Sequence, residues 1–301
     1  MRFFLLITAL FLFHQLPAQL LIKNTNVIDV EQKKMLAGYS VLIVDGKIAQ
    51  VDKDKNVKQI PESTTIIDGS GKYLSPGFTD AHIHFFQSGG LYARPDAIDL
   101  RKIRPYAEEI KWTHGHMEDL LRRYLSAGIT SVIDVGATYS FLRQKDSFAS
   151  KPWSPLVRMT GPLLTTYVPA PFKNLGDDSP FTEMLTEENT RKAARDQLPL
   201  NTDFIKIWYI VTDQDVEKGA RKNLPLVQAA IDEAHKNNKR VAVHATERIT
   251  AQLAVEAGAD FLVHSVDDEI ISDAFVQLLK QKKTVLCPTL VVMGHYGKVL
   301  G

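Results

Sequence analysis

From Leu74 onward the chain alternates short apolar runs with amphipathic helical segments, and that alternation leaves few folds open. The apolar runs lie near residues 77–84, 129–135, 156–160, 204–210, 240–244, 261–264 and 284–288. Helical patterns fall between most of them, near 117–125, 187–197, 224–236, 246–257 and 268–281. In the third of these, Leu226, Ala230 and Ala234 recur every four residues, and Val227 and Ile231 widen the stripe. Strands that alternate with helices pair in parallel, because each helix carries the chain back across the sheet. Seven such steps predict a (β/α)8 TIM-type barrel with seven strands present and strand 8 missing. An open doubly wound sheet is disfavoured, since no Gly-rich fingerprint opens the first helix.

Residues 19–75 read differently, as a small β-rich domain of sandwich-like character. Short strands are expected at 20–24, 27–30, 40–44, 47–51 and 64–68, with Asp45-Gly46 as a hairpin turn. The barrel is expected over 76–301. Residues 1–18 read as a signal peptide: Arg2, an apolar run from Phe3 to Phe13, and Ala18 before the cleavage point. That leader predicts a periplasmic or secreted protein with no membrane anchor after cleavage. A single cysteine, Cys287, excludes an internal disulfide. With 36 Lys+Arg against 35 Asp+Glu there is no basic surplus to bind nucleic acid, so the expected partner is a small-molecule substrate. Oligomeric state stays open. The seventh strand is followed closely by Gly301, so the reading is of a C-terminally truncated form of a longer protein.

Chemistry concentrates at strand ends. The first barrel strand runs Pro76-Gly77-Phe78-Thr79-Asp80-Ala81-His82-Ile83-His84. Side chains alternate along a strand, so Asp80, His82 and His84 share the inward face. Two imidazoles two residues apart can grip one metal ion, and Asp80 is placed to support them from behind. In Phe204-Ile205-Lys206-Ile207-Trp208, Lys206 shares its face with two aromatics. A lysine in such company has a depressed pKa, and its neutral amine can take up carbon dioxide as a carbamate. His244 and His264 each end an apolar run, at the barrel end where functional side chains collect.

Other residues attract weaker readings. His114 and His116 read as solvated, His235 as a surface residue on a helix, and Cys287 as core. Tyr209 is a candidate substrate contact. His295 follows strand 7 and faces either the site mouth or solvent. Asp267 and Asp268 read as the start of a helix. The long loops 85–109 and 161–188 are where specificity is expected.

The Pro-Gly-x-x-Asp-x-His-x-His strand, the strand-4 lysine and the histidines ending strands 5 and 6 resemble the amidohydrolase superfamily, most of all its imidazolonepropionase-like and prolidase-like branches. The resemblance implies two divalent metal ions, most simply zinc. His82 and His84 would hold one, His244 and His264 the other, and a CO2-derived carbamate on Lys206 would bridge them. It implies hydrolysis of a C–N bond in an amide, cyclic amide or dipeptide-like substrate by a metal-activated water. The resemblance also implies a proton-shuttling aspartate at the end of strand 8, which has no counterpart in the seven strands read here. Two alternatives remain: a single-metal deaminase or imidazolonepropionase-like enzyme, and a truncated barrel that binds without catalysis.

Overall fold

The computed structural model describes residues 19–58, 60–88 and 90–291. The expected leader at 1–18 and His295 lie outside these. The chain divides between Pro76 and Gly77 into two compact units.

The first unit is a mixed sheet of β1 (Gln19–Asp29), β2 (Lys34–Val44), β3 (Lys47–Lys53), β4 (Thr65–Asp68) and β5 (Tyr73–Leu74). Its order is β3-β2-β1-β4, with β5 also on β1. The two strands expected at 20–24 and 27–30 are one. Asn24 adopts a left-handed φ of 52°, and the register with β2 shifts on either side of Thr25. This bulge keeps a polar stretch inside a continuous ladder. Asp45 and Gly46 both have positive φ, as the expected hairpin turn requires. The described residues of this unit form one five-stranded sheet, the β-rich domain expected over 19–75.

The second unit holds β6 (Phe78–Ile83), β7 (Ile129–Asp134), β8 (Leu156–Met159), β9 (Leu163–Thr165), β10 (Phe181–Glu183), β11 (Ile205–Trp208), β12 (Val241–His244), β13 (Phe261–Val263) and β14 (Val285–Cys287). Its helices are α1 (Tyr106–Gly115), α2 (Met117–Ser126), α3 (Tyr139–Phe148), α4 (Glu187–Asp196), α5 (Val216–Lys236), α6 (Arg248–Ala257) and α7 (Asp273–Lys282). All the strand pairings are parallel. The result is a TIM-type barrel with seven strand positions: β6, β7, β8 with β9, β11, β12, β13 and β14. Among the described residues no strand stands between β14 and β6.

Alternation decides what each strand shows to which side. Ile205, Ile207, Val241, Val243 and Leu262 pack outward into one apolar cluster with α4 to α7. Val132 packs with α1 to α3 in a second cluster, around Ile110, Leu121 and Phe141. The intervening residues, Lys206 and His244 among them, are left to the barrel interior. Helix limits differ from the sequence pattern at two places. Helix α5 begins at Val216, about two turns before the pattern read at 224–236, and carries Pro225 inside it. Helix α7 starts after the N-cap Ser272, not at Asp268. Asp268 instead accepts the Arg248 amide at 2.8 Å and so serves the start of α6.

The third strand position is broken. β8 pairs with β7, β9 pairs with β11, and Thr160-Gly161-Pro162 lies between. The side chain of Gln197, fully buried, closes this break. Its Oε1 accepts the Gly161 amide at 3.0 Å, and its Nε2 donates to the Pro162 carbonyl at 2.8 Å. A Cβ on Gly161 would lie 2.8 Å from the Gln197 amide, so only glycine lets the two approach. Gln197→Leu strips the partners from a buried N–H and C=O at once. It is expected to destabilise the fold by about 2–4 kcal/mol in urea denaturation. A loss below about 0.5 kcal/mol would mean that the break holds without this side chain.

Candidate metal centre

Four imidazoles and one amine meet at the C-terminal ends of the barrel strands. His82 and His84 come from the end of β6, Lys206 from β11, His244 from the last position of β12, and His264 from the residue after β13. The rings form a chain of edge contacts: His84 to His82 with centroids 5.1 Å apart, His82 to His264 at 4.7 Å, and His264 to His244 at 4.4 Å. Lys206 is 1% exposed. All five line one cavity of about 400 Å³, together with Phe86, Arg94, Asp96, Leu163, Phe181 and Trp208. A second cavity of about 410 Å³ opens around Phe204, Arg240, Phe261 and Val285, away from these groups. Its carboxylates are already engaged, Asp203 by Lys145 and Arg158 and Asp260 by His235, so it offers no comparable chemistry.

Level registers bring the side chains to one height. Trp208 stands opposite His244, and His244 opposite Val263. His264 needs one further device. By alternation it would share the outward face of Leu262. Its φ of 78° breaks the pleat at that residue and turns the ring inward. Its amide stays on the ladder, donating to the Cys287 carbonyl at 2.9 Å, and its Nδ1 lies 2.8 Å from Thr289 Oγ1. Thr289 is itself left-handed, at 44°, unusual for a β-branched residue. Strain of this kind collects at functional sites.

His84 is fixed from behind. Its Nδ1 lies 2.9 Å from the Gly136 carbonyl, which can only accept, so that nitrogen carries the proton and the neutral ring presents a bare Nε2. A Cβ on Gly136 would come within 3.0 Å of the His84 ring and 2.6 Å of Leu163, so glycine is required there. The Nε2 atoms of His82 and His84 are 3.2 Å apart, and His82 Nδ1 is buried without a hydrogen-bond partner. Among the described residues no three His, Cys, Asp or Glu side chains are spread around one point as ligands to an ion would be. The histidines offer pairs, and the remaining group at the centre is the lysine amine.

Burial governs the electrostatics. Desolvation, reinforced by the neighbouring Lys206, holds His84 at about 3 and His264 at about 4, against an ordinary 6.5. His82 and His244 are likewise pushed well below the ordinary value, again chiefly by burial. Lys206 falls from 10.5 to about 7, because burial outweighs the help of Cys287 and Asp134. Asp134 is the carboxylate that the sequence reading missed. Fully buried, it is raised to about 7 by desolvation, although the Phe85 and Gly136 amides each donate to it at 3.0 Å. One of its oxygens lies 3.8 Å from His84 Nδ1. Asp80, expected to back the histidines, accepts the His82 backbone amide at 3.2 Å.

The remaining candidates separate from the site. Tyr209 is fully buried on the outward side, and its hydroxyl donates to the Ala220 carbonyl at 2.5 Å, so it is core and not a substrate contact. His114 is not solvated: it stacks on Phe141 at 3.9 Å and bonds to Gln144 and Ser140. His116 is half-buried, stacked on Trp112, and His235 pairs with Asp260 at the surface. Cys287 ends β14 and is close enough to Lys206 to feel its charge. The eighth-strand aspartate has no counterpart among the described residues.

Residues 73–286 match the model of the amidohydrolase family. The chain belongs to that family. Seventy-three residues are 42% identical to the dihydroorotase of Caldicellulosiruptor saccharolyticus, over 24% of this chain and 16% of that protein. Seventy-five are 39% identical to the adenine deaminase of Ruegeria pomeroyi, over 25% and 12%. Both matches span far less than two thirds of the relative's length. Among solved structures, a prolidase complexed with N-methylphosphonate-L-proline superposes with a TM-score of 0.71 at 22% identity, over 94% of this chain and 70% of that one. The ochratoxinase of A. niger gives 0.72 at 19%, over 95% and 68%. These likenesses establish the barrel fold of the amidohydrolases.

The histidine cluster sets a pH dependence for the metal-free chain. Between about pH 4 and 6.5 the unfolded chain binds protons that His84 and His264 refuse when folded, so stability rises with pH across that window. Asp134 acts in the opposite sense between 3.8 and about 7, but it is one carboxyl against four imidazoles. With a chelator present, the urea midpoint is expected to climb from pH 4 to 6.5, and to climb less in His264→Gln. Equal slopes in the two proteins would contradict a buried, neutral His264.

Proposed function

We propose that this barrel hydrolyses a C–N bond of a small molecule, using two divalent ions held by His82 and His84 on one side and His244 and His264 on the other, with Lys206 between. One observation carries the reading: four neutral imidazoles and a buried amine crowd one cavity at the functional end of a barrel. The donor set fits metal ions. Ligand nitrogens about 2.0–2.1 Å from a zinc ion, in tetrahedral disposition, lie about 3.4 Å apart. The His82–His84 separation of 3.2 Å is close to that bite. The proton on His84 Nδ1 leaves its Nε2 lone pair for the ion, and the same geometry leaves His82 free to present Nε2.

The chain's own groups prepare the rest. With a pKa near 7, a large fraction of Lys206 is an amine at neutral pH. Attack of that amine on carbon dioxide, with loss of one proton, gives an anionic carbamate with two oxygens for two cations. Asp134 holds the Phe85 and Gly136 amides, and through them the turn that carries His84. Phe181 stacks on Trp208 at 4.9 Å, giving the cavity an apolar wall that limits water. Bound ions would acidify a shared water and polarise the scissile carbonyl. The dihydroorotase, adenine deaminase and prolidase relatives support a C–N bond as the target, and the prolidase-like fold supports an amide or dipeptide-like substrate.

The test begins with metal analysis of the full chain and of Lys206→Ala, both produced with zinc and bicarbonate. Turnover is then screened over N-acyl amino acids, Xaa-Pro dipeptides, lactams and hydantoins. Two ions per chain are expected in the wild type, and one or none in the variant. Turnover is expected to fall by at least about 100-fold in the variant. Two ions retained by Lys206→Ala would remove the bridging role. One ion in the wild type, with no dependence on bicarbonate, would favour a single-metal deaminase.

A further inference from the structure

A second set of rings reaches the histidine cavity. Phe86 lies two residues beyond His84, Phe181 opens β10, and Trp208 ends β11, and all three line the cavity. Phe181 stacks on Trp208 with centroids 4.9 Å apart and 29° between the planes. Phe172 is fully buried and joins the two loops, its centroid 6.3 Å from Phe86 and 5.3 Å from Phe181. Phe86 is as deeply buried as Phe172, whereas Phe181 and Trp208 are half-buried and keep ring surface open.

These contacts close a circuit with the imidazoles. Phe86 meets His84 at 5.5 Å, and Trp208 meets His244 at 5.8 Å. The histidines run in the order His84, His82, His264, His244, so ring contacts lead back to their start. One half of the circuit offers nitrogen lone pairs and the other offers carbon. The planes on the carbon side are set by their neighbours: His84–Phe86, Phe172–Phe181 and Trp208–His244 cross at 60°, 63° and 76°. In such edge contacts the positive rim of one ring meets the negative face of the next. The cavity, at about 400 Å³, lies near the small end of ligand sites. A small ligand with its carbonyl over the imidazoles is therefore within reach of the Trp208 indole, whose plane is already fixed.

We infer that Trp208 and Phe181 form an aromatic subsite, and that the compounds cleaved here are amides bearing a flat aromatic ring next to the scissile bond. This assignment rests on the hydrolase reading above and narrows its substrate class. Trp208 is the specificity-determining residue, because it touches the cluster at His244 and the second open ring at Phe181. A ring that meets the indole holds its amide beside His244. A flat ring can stack on these surfaces or present an edge to them, and a puckered saturated ring of the same size does neither. Leucine at position 208 would keep an apolar surface and remove the π face, which separates aromatic recognition from hydrophobic burial.

The probes are benzohydroxamate and cyclohexanecarbohydroxamate, which share a metal-binding head and differ in whether the ring is flat. Their affinities for the zinc-loaded full chain are compared by calorimetry. The wild type is expected to bind the aromatic probe about 10-fold more tightly. In Trp208→Leu the ratio is expected to fall to within about 2-fold, and in Trp208→Phe to stay near the wild-type value, because a π face remains. The ratio within one variant corrects for any loss of folded protein or bound zinc, which lowers both affinities together. Equal binding of the two probes by the wild type overturns the inference, as does a preference that survives in Trp208→Leu. If neither hydroxamate binds, the metal reading falls, and benzamide against cyclohexanecarboxamide on the chelator-treated chain decides the subsite instead, by ligand-observed NMR. A preference for benzamide that Trp208→Leu abolishes then upholds the aromatic subsite without the hydrolase reading, and its absence overturns both.

Discussion

The structure turns on five basic side chains, Lys206 buried and four histidines half-buried, that line one cavity with the buried carboxylate Asp134 beside them. As cations, His82, His84, Lys206, His244 and His264 would repel one another across a few ångströms of low dielectric, so the folded chain disfavours their protonated forms and brings Lys206 down to about 7. Neutral imidazoles and amines are lone-pair donors, and their convergence costs folding energy with no return from packing alone. Such a cluster is hard to explain as structural. Its neutrality also has a direction built in, because the Gly136 carbonyl fixes which nitrogen of His84 keeps its proton.

The fold meets this requirement with backbone more than with side chains. Parallel registers hold Trp208, His244 and Val263 at one level, and the left-handed turn at His264 brings the fourth ring in. Gly136 gives up its side chain so that His84 can lie against it. At the third strand position, where β8 hands over to β9, Gln197 replaces the interrupted ladder hydrogen bonds from within the core. These devices leave the inner face of the strands free for chemistry while the outer faces are sealed by two apolar clusters.

How much of this was legible in the sequence depends on whether a simple period governed the residue. His82, His84, Lys206 and His244 obey the two-residue alternation of a strand, and the alternation assigns each of them to the interior. His264 was found only because it ends an apolar run; strict alternation with Leu262 would have sent it outward, and a backbone angle invisible in the sequence decides its place. Asp134 escaped notice for the converse reason. It shares its phase with Val132, which packs against the helices, so nothing in the pattern marks it as a neighbour of His84. Arg94 and Asp96 come from a long loop where no periodicity exists to read, and Phe181 opens β10, three residues long and too short to show an alternation. Tyr209 was misjudged by adjacency: one residue beyond Trp208 on a strand means the opposite face.

The division between strands and loops bears on how selectivity arises in such a site. On the proposed reading, the strand-borne cluster would treat all carbonyl compounds much alike, because what it offers is lone pairs at a point. With two divalent ions and one carbamate in place, its net charge would be strongly positive and would attract any anion. Attraction alone does not orient a substrate. The loop-borne Arg94 is paired with Asp96, which offsets much of its charge, and what remains is felt at His84. On the proposed reading, alignment of a substrate would fall to the loops, because alignment places one chosen bond, out of several, over the cluster.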